Sequence, residues 1–208
     1  MKHVSLDIHD GSVLRTRMDL LLQYKEHYPD FKVSLFWIPF DAELEISQQR
    51  LLRGELLERI KENLDWIQLI PHGLTHMPQE FLRCDRATMQ DTLATIDEAM
   101  TKDGLPYEKG FCAPYWLWNK DVVDVLDEAG WWGAVDRNQP GMLKTKRFYE
   151  YSHSIDEPFW TDDREITKLH GHMTGPSANA LEANLASLLH IEPDAEWHFI
   201  TDYLEEKA

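Results

Sequence analysis

Apolar positions along this chain switch between two periods. Val4-Ser5-Leu6-Asp7-Ile8 repeats every second residue, which predicts a strand. Leu14, Met18, Leu21 and Tyr28 then keep helical spacing, and Pro29 ends that pattern. Val33-Ser34-Leu35-Phe36-Trp37-Ile38 is a second strand. Leu56, Leu57, Ile60 and Leu64 form the apolar stripe of a helix, with Ser47 as its expected N-cap. Trp66-Ile67-Gln68-Leu69-Ile70 is a third strand. Met89, Leu93, Ile96 and Met100 give a strong helical face, and Gly104 supplies its stop. Residues 109–113 are short and strand-like. Asn119 is placed to cap a helix carrying Val122, Val125, Leu126 and Ala129, closed by Gly130. Residues 131–135 make a fifth strand, 165–170 another, and Trp197-His198-Phe199-Ile200 a last one, with a helix expected over 178–190. Between 136 and 165 the pattern is irregular.

Strands alternating with helices predict a parallel sheet or a β/α barrel. No repeat, low-complexity segment or linker divides the 208 residues, so a single domain spanning 1–208 is expected. The net charge of −16 disfavours nucleic acid and anionic membrane as partners, and it disfavours a strongly anionic substrate unless a metal supplies local positive charge. The apolar runs are far shorter than a membrane span. Met1-Lys2-His3-Val4 leads straight into a strand without the features of a signal peptide, and Cys84 and Cys112 do not suggest a disulfide framework; a reduced, cytoplasmic setting is the expectation. Eight tryptophans and seven tyrosines supply core, or platforms that stack on sugar rings; composition does not separate the two.

In such folds the functional residues gather where strands end. Asp7, His9 and Asp10 end the first strand; His72 and His76 follow the third; Ala113, Pro114, Tyr115 and Trp116 follow the short fourth; His170 and His172 end a late one. His72 and His76 are four residues apart. On a helical turn both imidazoles project the same way, which is half of a divalent-metal site.

The order of these motifs resembles the polysaccharide deacetylase (NodB-homology) superfamily, in a divergent branch whose first motif reads H-D-x. Asp7-Ile8-His9-Asp10-Gly11 corresponds to the first motif, His72-Gly73-Leu74-Thr75-His76 to H-[ST]-x-x-H, Cys112-Ala113-Pro114-Tyr115 to R-x-P-Y, and Leu169-His170 to the last. The resemblance implies a distorted (β/α)7 barrel of the glycoside hydrolase/deacetylase type. It implies a metal-dependent hydrolase of carbon–nitrogen bonds, acting on an N-acylated carbohydrate or sugar precursor. Its metal would be divalent, zinc first, with cobalt or manganese as alternatives, held by Asp10, His72 and His76. His170 would protonate the leaving group. Tyr115 and Trp116 would line the substrate groove, with Trp118 a further candidate, and an amide near Tyr115 would face the developing oxyanion.

Two positions depart from the family. His9 stands where the family has an aspartate base, and Cys112 where it has the arginine that orients that base. Asp7 and His9 share one face of a regular strand, so Asp7 could orient His9 as base, act as base itself, or leave His9 as a further ligand. Asp136 is the nearest candidate for the family's fourth motif. His172 is expected in a loop, and Cys112 as an inert core thiol. Two other functions stay open: a catalytically weakened barrel that binds a sugar, and a hydrolase of a small non-sugar amide.

Overall fold

The computed structural model describes residues 2–41, 46–157, 164–174, 178–191 and 193–207, with backbone only for 46–53 and 185. In chain order its elements are β1 (His3–Gly11), α1 (Met18–His27), β2 (Val33–Trp37), α2 (Ile46–Lys61), β3 (Ile67–Pro71), α3 (Arg86–Asp103) and β4 (Gly110–Phe111). After a 3-10 turn at Pro114–Trp116 come α4 (Lys120–Glu128), β5 (Trp132–Val135), β6 (Arg147–Glu150), β7 (His153–Ser154), β8 (Ile166–His172), α5 (Leu181–Leu188) and β9 (Glu196–His198). A second 3-10 turn, Ile200–Tyr203, precedes β10 (Glu205–Glu206).

One sheet runs β3-β2-β1-β8-β7, with β9 paired to the start of β1; the other runs β10-β6-β5-β4. All pairings are parallel except β10 with β6. Two joints connect the sheets. A parallel bridge between His72 and Cys112 ties the end of β3 to the end of β4. The chain turns from β6 into β7 at Ser152, whose N–H donates to Lys168 O at 2.8 Å. Counting β6 and β7 as one bent strand, seven strand positions circle from β1 through β8. The fold is a distorted (β/α)7 barrel.

β1 shows why this sequence makes a barrel. Its apolar residues Val4, Leu6 and Ile8 join the large core that includes helix residues such as Leu21, Met89, Ile96 and Val122. Its other face carries Ser5, Asp7 and His9, and these are just as buried. A strand covered on both faces belongs inside an α/β fold. The second face looks into the lumen, where Phe36, Ile70, Cys112, Trp132, Tyr149 and Tyr151 form a separate cluster.

The Gly104 stop and the Asn119 cap act locally as expected, and the structure adds a cap at Asp85 that the sequence reading did not name. The Asp85 carboxylate accepts the Thr88 N–H at the start of α3, and Gly104 ends that helix with φ 67°. The Asn119 side chain accepts the Val122 N–H at 3.1 Å at the start of α4. Four expectations need correction. α2 begins at Ile46, so Ser47 is already inside it; the Ser47 side chain lies outside the described residues. Leu14 precedes α1 and is exposed. The last strand stops at His198, because the Ile200 N–H turns to donate to Ser34 Oγ at 3.1 Å. The irregular stretch holds β6 and β7, too short and too polar to leave a periodic trace. Among the described residues no helix is long and apolar enough to cross a membrane.

Candidate metal and proton-transfer site

Asp10 sits at the C-terminal end of β1 with φ 62°, a left-handed conformation that turns its carboxylate over the barrel mouth. His72 and His76 flank the turn that follows β3. Their donor atoms and that of Asp10 lie within 4.8 Å of one another. His76 Nε2 is 2.9 Å and His72 Nε2 is 3.4 Å from Asp10 Oδ1. That oxygen is buried and has no hydrogen-bond partner of good geometry, so the three atoms face a common point rather than each other. His72 Nδ1 donates to Cys112 O at 3.0 Å, which fixes the tautomer and leaves Nε2 as a lone-pair donor. Burial raises the Asp10 pKa, but the two imidazoles outweigh it and hold the carboxylate far below its usual range. Burial lowers His72, against the pull of Asp10, so its ring is neutral at neutral pH. These are the protonation states a divalent cation requires.

The turn carrying the histidines is held from below. Glu80 accepts the Leu74 N–H at 3.2 Å and the Thr75 N–H at 3.1 Å. Burial raises the Glu80 pKa while those amides draw it back down. Gly73 has φ 63°, and a Cβ there would lie 2.7 Å from Pro114 Cγ.

Beside this triad is a second cluster. β1 and β8 run in register, pairing Asp7 with His170 and His9 with His172. His170 Nδ1 and Asp7 Oδ2 are hydrogen-bonded at 2.7 Å, both groups buried. His9 Nε2 is 3.2 Å from the same Asp7 oxygen, yet it is not oriented for a hydrogen bond; it and Asp7 Oδ1 are buried without one. Buried polar atoms left in this state mark a site worth explaining. His9 lies at the centre, its ring 4.7 Å from His72 and 4.6 Å from His170 by centroids, so it separates the Asp7–His170 pair from the triad. Burial, then the His170, His72 and His172 imidazoles, lower its pKa well below the usual value. The Cys112 thiol lies 4.0 Å from His9 Nδ1, and burial and nearby carboxylates push it up, so it is uncharged.

Tyr115 and Trp116 adopt positive φ of 58° and 60° in succession, an arrangement that L-residues hold only when their surroundings impose it. Tyr115 is 53% exposed, with its ring 5.5 Å from His76. Trp116 is half-buried and packs 4.9 Å from His9 and 5.6 Å from His170. Trp118 does not join them: it is core, its Nε1–H donating to Leu143 O.

Comparison with solved structures reproduces this architecture over nearly the whole chain. A peptidoglycan N-acetylglucosamine deacetylase, solved in complex with 4-naphthalen-1-yl-N-oxidanyl-benzamide, superposes with a TM-score of 0.64 at 14% identity, covering 96% of this chain and 86% of that one. A family 4 acetyl xylan esterase from Clostridium thermocellum, solved with a cobalt ion, gives 0.60 at 13% identity, covering 97% and 89%. A family 4 pseudoenzyme from Bacillus anthracis gives 0.61 at 16% identity, covering 97% of this chain and 64% of that one. The amino-acid sequence itself matches no protein-family model and no curated protein.

The fold is that of the family 4 carbohydrate esterases. Within this esterase fold several site residues escape a reading of the sequence. His172 is not a loop residue: it ends β8, its Nδ1 bonded to Asn179 Oδ1 at 2.7 Å and its ring 5.6 Å from His9. Cys112 is buried, but it touches the site rather than plain core. Asp136 reaches His170 through Tyr151, which donates to it at 2.7 Å and stacks on His170 at 4.5 Å. Glu80 supports the His72–His76 turn from four residues beyond it, and its only sequence signal is that proximity. Strand register brings in His172, and the bend between β6 and β7 brings in Tyr151; no local pattern encodes either.

Proposed function

We propose that this protein is a metal-dependent hydrolase of carbon–nitrogen bonds other than peptide bonds, an N-deacetylase of a carbohydrate or sugar precursor. The observation that carries this reading is the convergence of the Asp10, His72 and His76 donor atoms beside the Asp7–His170 pair. The set fits a divalent ion such as zinc: two imidazoles, that of His72 held neutral by burial, one ionised carboxylate and a buried oxygen without a well-oriented hydrogen bond. A bound ion supplies Lewis acidity to the acyl carbonyl and lowers the pKa of a water.

The remaining chemistry falls to this chain's side chains. His170 gives its Nδ1–H to Asp7, so that in the imidazolium form its Nε2–H is free to pass to the departing amine, leaving the ring neutral. Neutral His9 is the proton acceptor that replaces a carboxylate base. Asp7 lies 3.2 Å from its ring, and the uncharged Cys112 does not oppose a positive charge there. Trp116 spends its N–H on Ala113 O, leaving the Tyr115 amide as the candidate oxyanion donor. The exposed Tyr115 ring and the half-buried Trp116 flank the approach and suit the faces of a sugar. A carbohydrate substrate is supported by two proteins that share the fold, a peptidoglycan N-acetylglucosamine deacetylase and an acetyl xylan esterase.

One observation favours a second reading, a sugar-binding module without turnover: His9 is 1% exposed beneath Trp116. The test separates the two. Tag-free protein should release acetate from an N-acetylated sugar with zinc, cobalt or manganese supplied. His72→Ala should lose one equivalent of metal and all turnover. His170→Ala should keep its metal and lose about 10²–10⁴-fold in rate. Metal-loaded protein that binds acylated sugars but hydrolyses none establishes the binding module instead.

A further inference from the structure

At the opposite end of β1 from the catalytic cluster, a second set of metal-liking side chains converges. His3 begins β1, and Glu196 and His198 lie on β9, which pairs in parallel with β1 so that His3 is level with Glu196 and Ser5 with His198. Partners in a parallel pair, and residues two apart on one strand, share a face. Register alone therefore sets His3, Glu196 and His198 on one side of the sheet.

The side chains meet there. His3 Nδ1 is 3.0 Å from His198 Nε2 and 3.2 Å from Glu196 Oε2, and the third edge, His198 Nε2 to Glu196 Oε2, is 3.7 Å. Ligands about 2.0–2.1 Å from a tetrahedral ion are separated by about 3.3 Å. The three observed edges bracket that value. Asp202, on the following 3-10 turn, puts Oδ2 3.7 Å from His198 Nδ1, the nitrogen not facing the other two groups. A carboxylate behind the second ring nitrogen is the usual support of a ligating histidine. His3 and His198 are about one quarter exposed and Glu196 about half, so an ion reaches them from solvent and keeps a position for water.

We propose that His3, Glu196 and His198 form a second divalent-cation site, of the zinc class, which clips β9 to the first strand. Its residues are 195 positions apart at the extremes, so the site exists only in the folded chain. An ion bound there stabilises the fold rather than the reaction. Its place at the N-terminal end of the strands agrees, because in barrels of this kind chemistry collects at the other end.

The test removes the catalytic triad first. In an Asp10→Asn, His72→Ala background, tag-free protein should retain one equivalent of zinc. It should show the visible bands of tetrahedral cobalt when cobalt is substituted. Zinc at about 100-fold above its dissociation constant should raise Tm by about 5–10 °C. Adding Glu196→Gln or, separately, His198→Ala should abolish that equivalent, the bands and the zinc-dependent rise. Because the rise is read against each variant's own metal-free Tm, a general loss of stability does not imitate the result. In wild type, His198→Ala should leave turnover intact. The proposal is overturned if the background holds no zinc, if zinc binds only above about 0.1 mM as an adventitious ion, or if binding survives both substitutions. None of these outcomes bears on the catalytic triad, whose own equivalent disappears with His72→Ala in wild type.

Discussion

His9 is enclosed by Phe36, His72, Trp116 and His170 with ring centroids within 5 Å, and its Nδ1 faces an uncharged thiol. Removing water disfavours its charged form, and a cation held by Asp10, His72 and His76 acts in the same direction. A base works when neutral. The acid limb of the pH–rate profile therefore lies below the ordinary imidazole value of about 6.5, not at it. A limb at or above that value, or full activity in His9→Ala, removes His9 from the mechanism. The Cys112 departure fits the same logic, since an arginine 4 Å from His9 would oppose protonation; His9→Asp should lose turnover, and adding Cys112→Arg should return part of it. Gly73 tests the triad's support. Its φ of 63° and the nearness of Pro114 make Gly73→Ala strained by about 1–3 kcal/mol, read as a lower midpoint in urea. Zinc affinity should fall about 10–100-fold as the His72–His76 turn shifts, measured by competition with a chromophoric chelator. Unchanged affinity would mean that the turn adapts without moving its ligands. The two histidines were legible as a pair because they are four residues apart, but not for the expected reason: residues 72–76 are not helical, and positive φ at Gly73 and His76 turns the rings together instead. Their carboxylate shelf, Glu80, was not legible, because backbone amides recognise an acid wherever the loop brings it.

β1 and β8 together place Asp7, His9, His170 and His172 by register alone. The shared face of Asp7 and His9 follows from parity within one strand, and so could be read directly. Which β8 residue lies opposite Asp7 could not, since register depends on how the whole sheet closes. This is why Asp7 could be assigned to orient His9 from sequence, whereas the structure gives its hydrogen bond to His170. Asp7→Asn keeps the shape and one acceptor but removes the charge that balances His170 when it carries a proton. Turnover should fall about 10²–10⁴-fold with metal content unchanged. A loss of metal alongside the rate would make Asp7 a structural prop of the Asp10 end of β1 instead. The helices were legible for a physical reason: α3 and α4 carry apolar stripes and their own stops at Gly104 and Gly130, and α4 its own cap at Asn119. β6 and β7 were not, because strands of four and two residues with polar ends have no period to display.

At the scale of the molecule, the alternation of strands and helices announced a β/α fold, while closure into a ring depends on contacts no pattern predicts: the His72–Cys112 bridge and the bend at Ser152. The charge of −16, from 37 acidic and 21 basic residues, is a property of the whole surface and needs no fold to interpret. Self-repulsion of that size weakens the compact state, and salt relieves it because the screening length shrinks from about 10 Å at 0.1 M to about 3 Å at 1 M. Tm should therefore rise by a few degrees between low salt and about 0.5 M sodium chloride. The same field sorts substrates. A neutral N-acetylated sugar approaches without electrostatic work, so its KM should hardly change over that range. An N-acetylated polyanion is repelled at low salt, so its KM should fall steeply as salt is added while kcat stays constant, because the reacting groups are buried away from the screened surface. Steady-state kinetics on one neutral and one sulfated or uronic-acid-rich substrate, at four or five salt concentrations, decide the matter. A polyanion that binds best in low salt would show that a local cationic track overrides the net charge, and would redirect the search for the substrate towards acidic glycans.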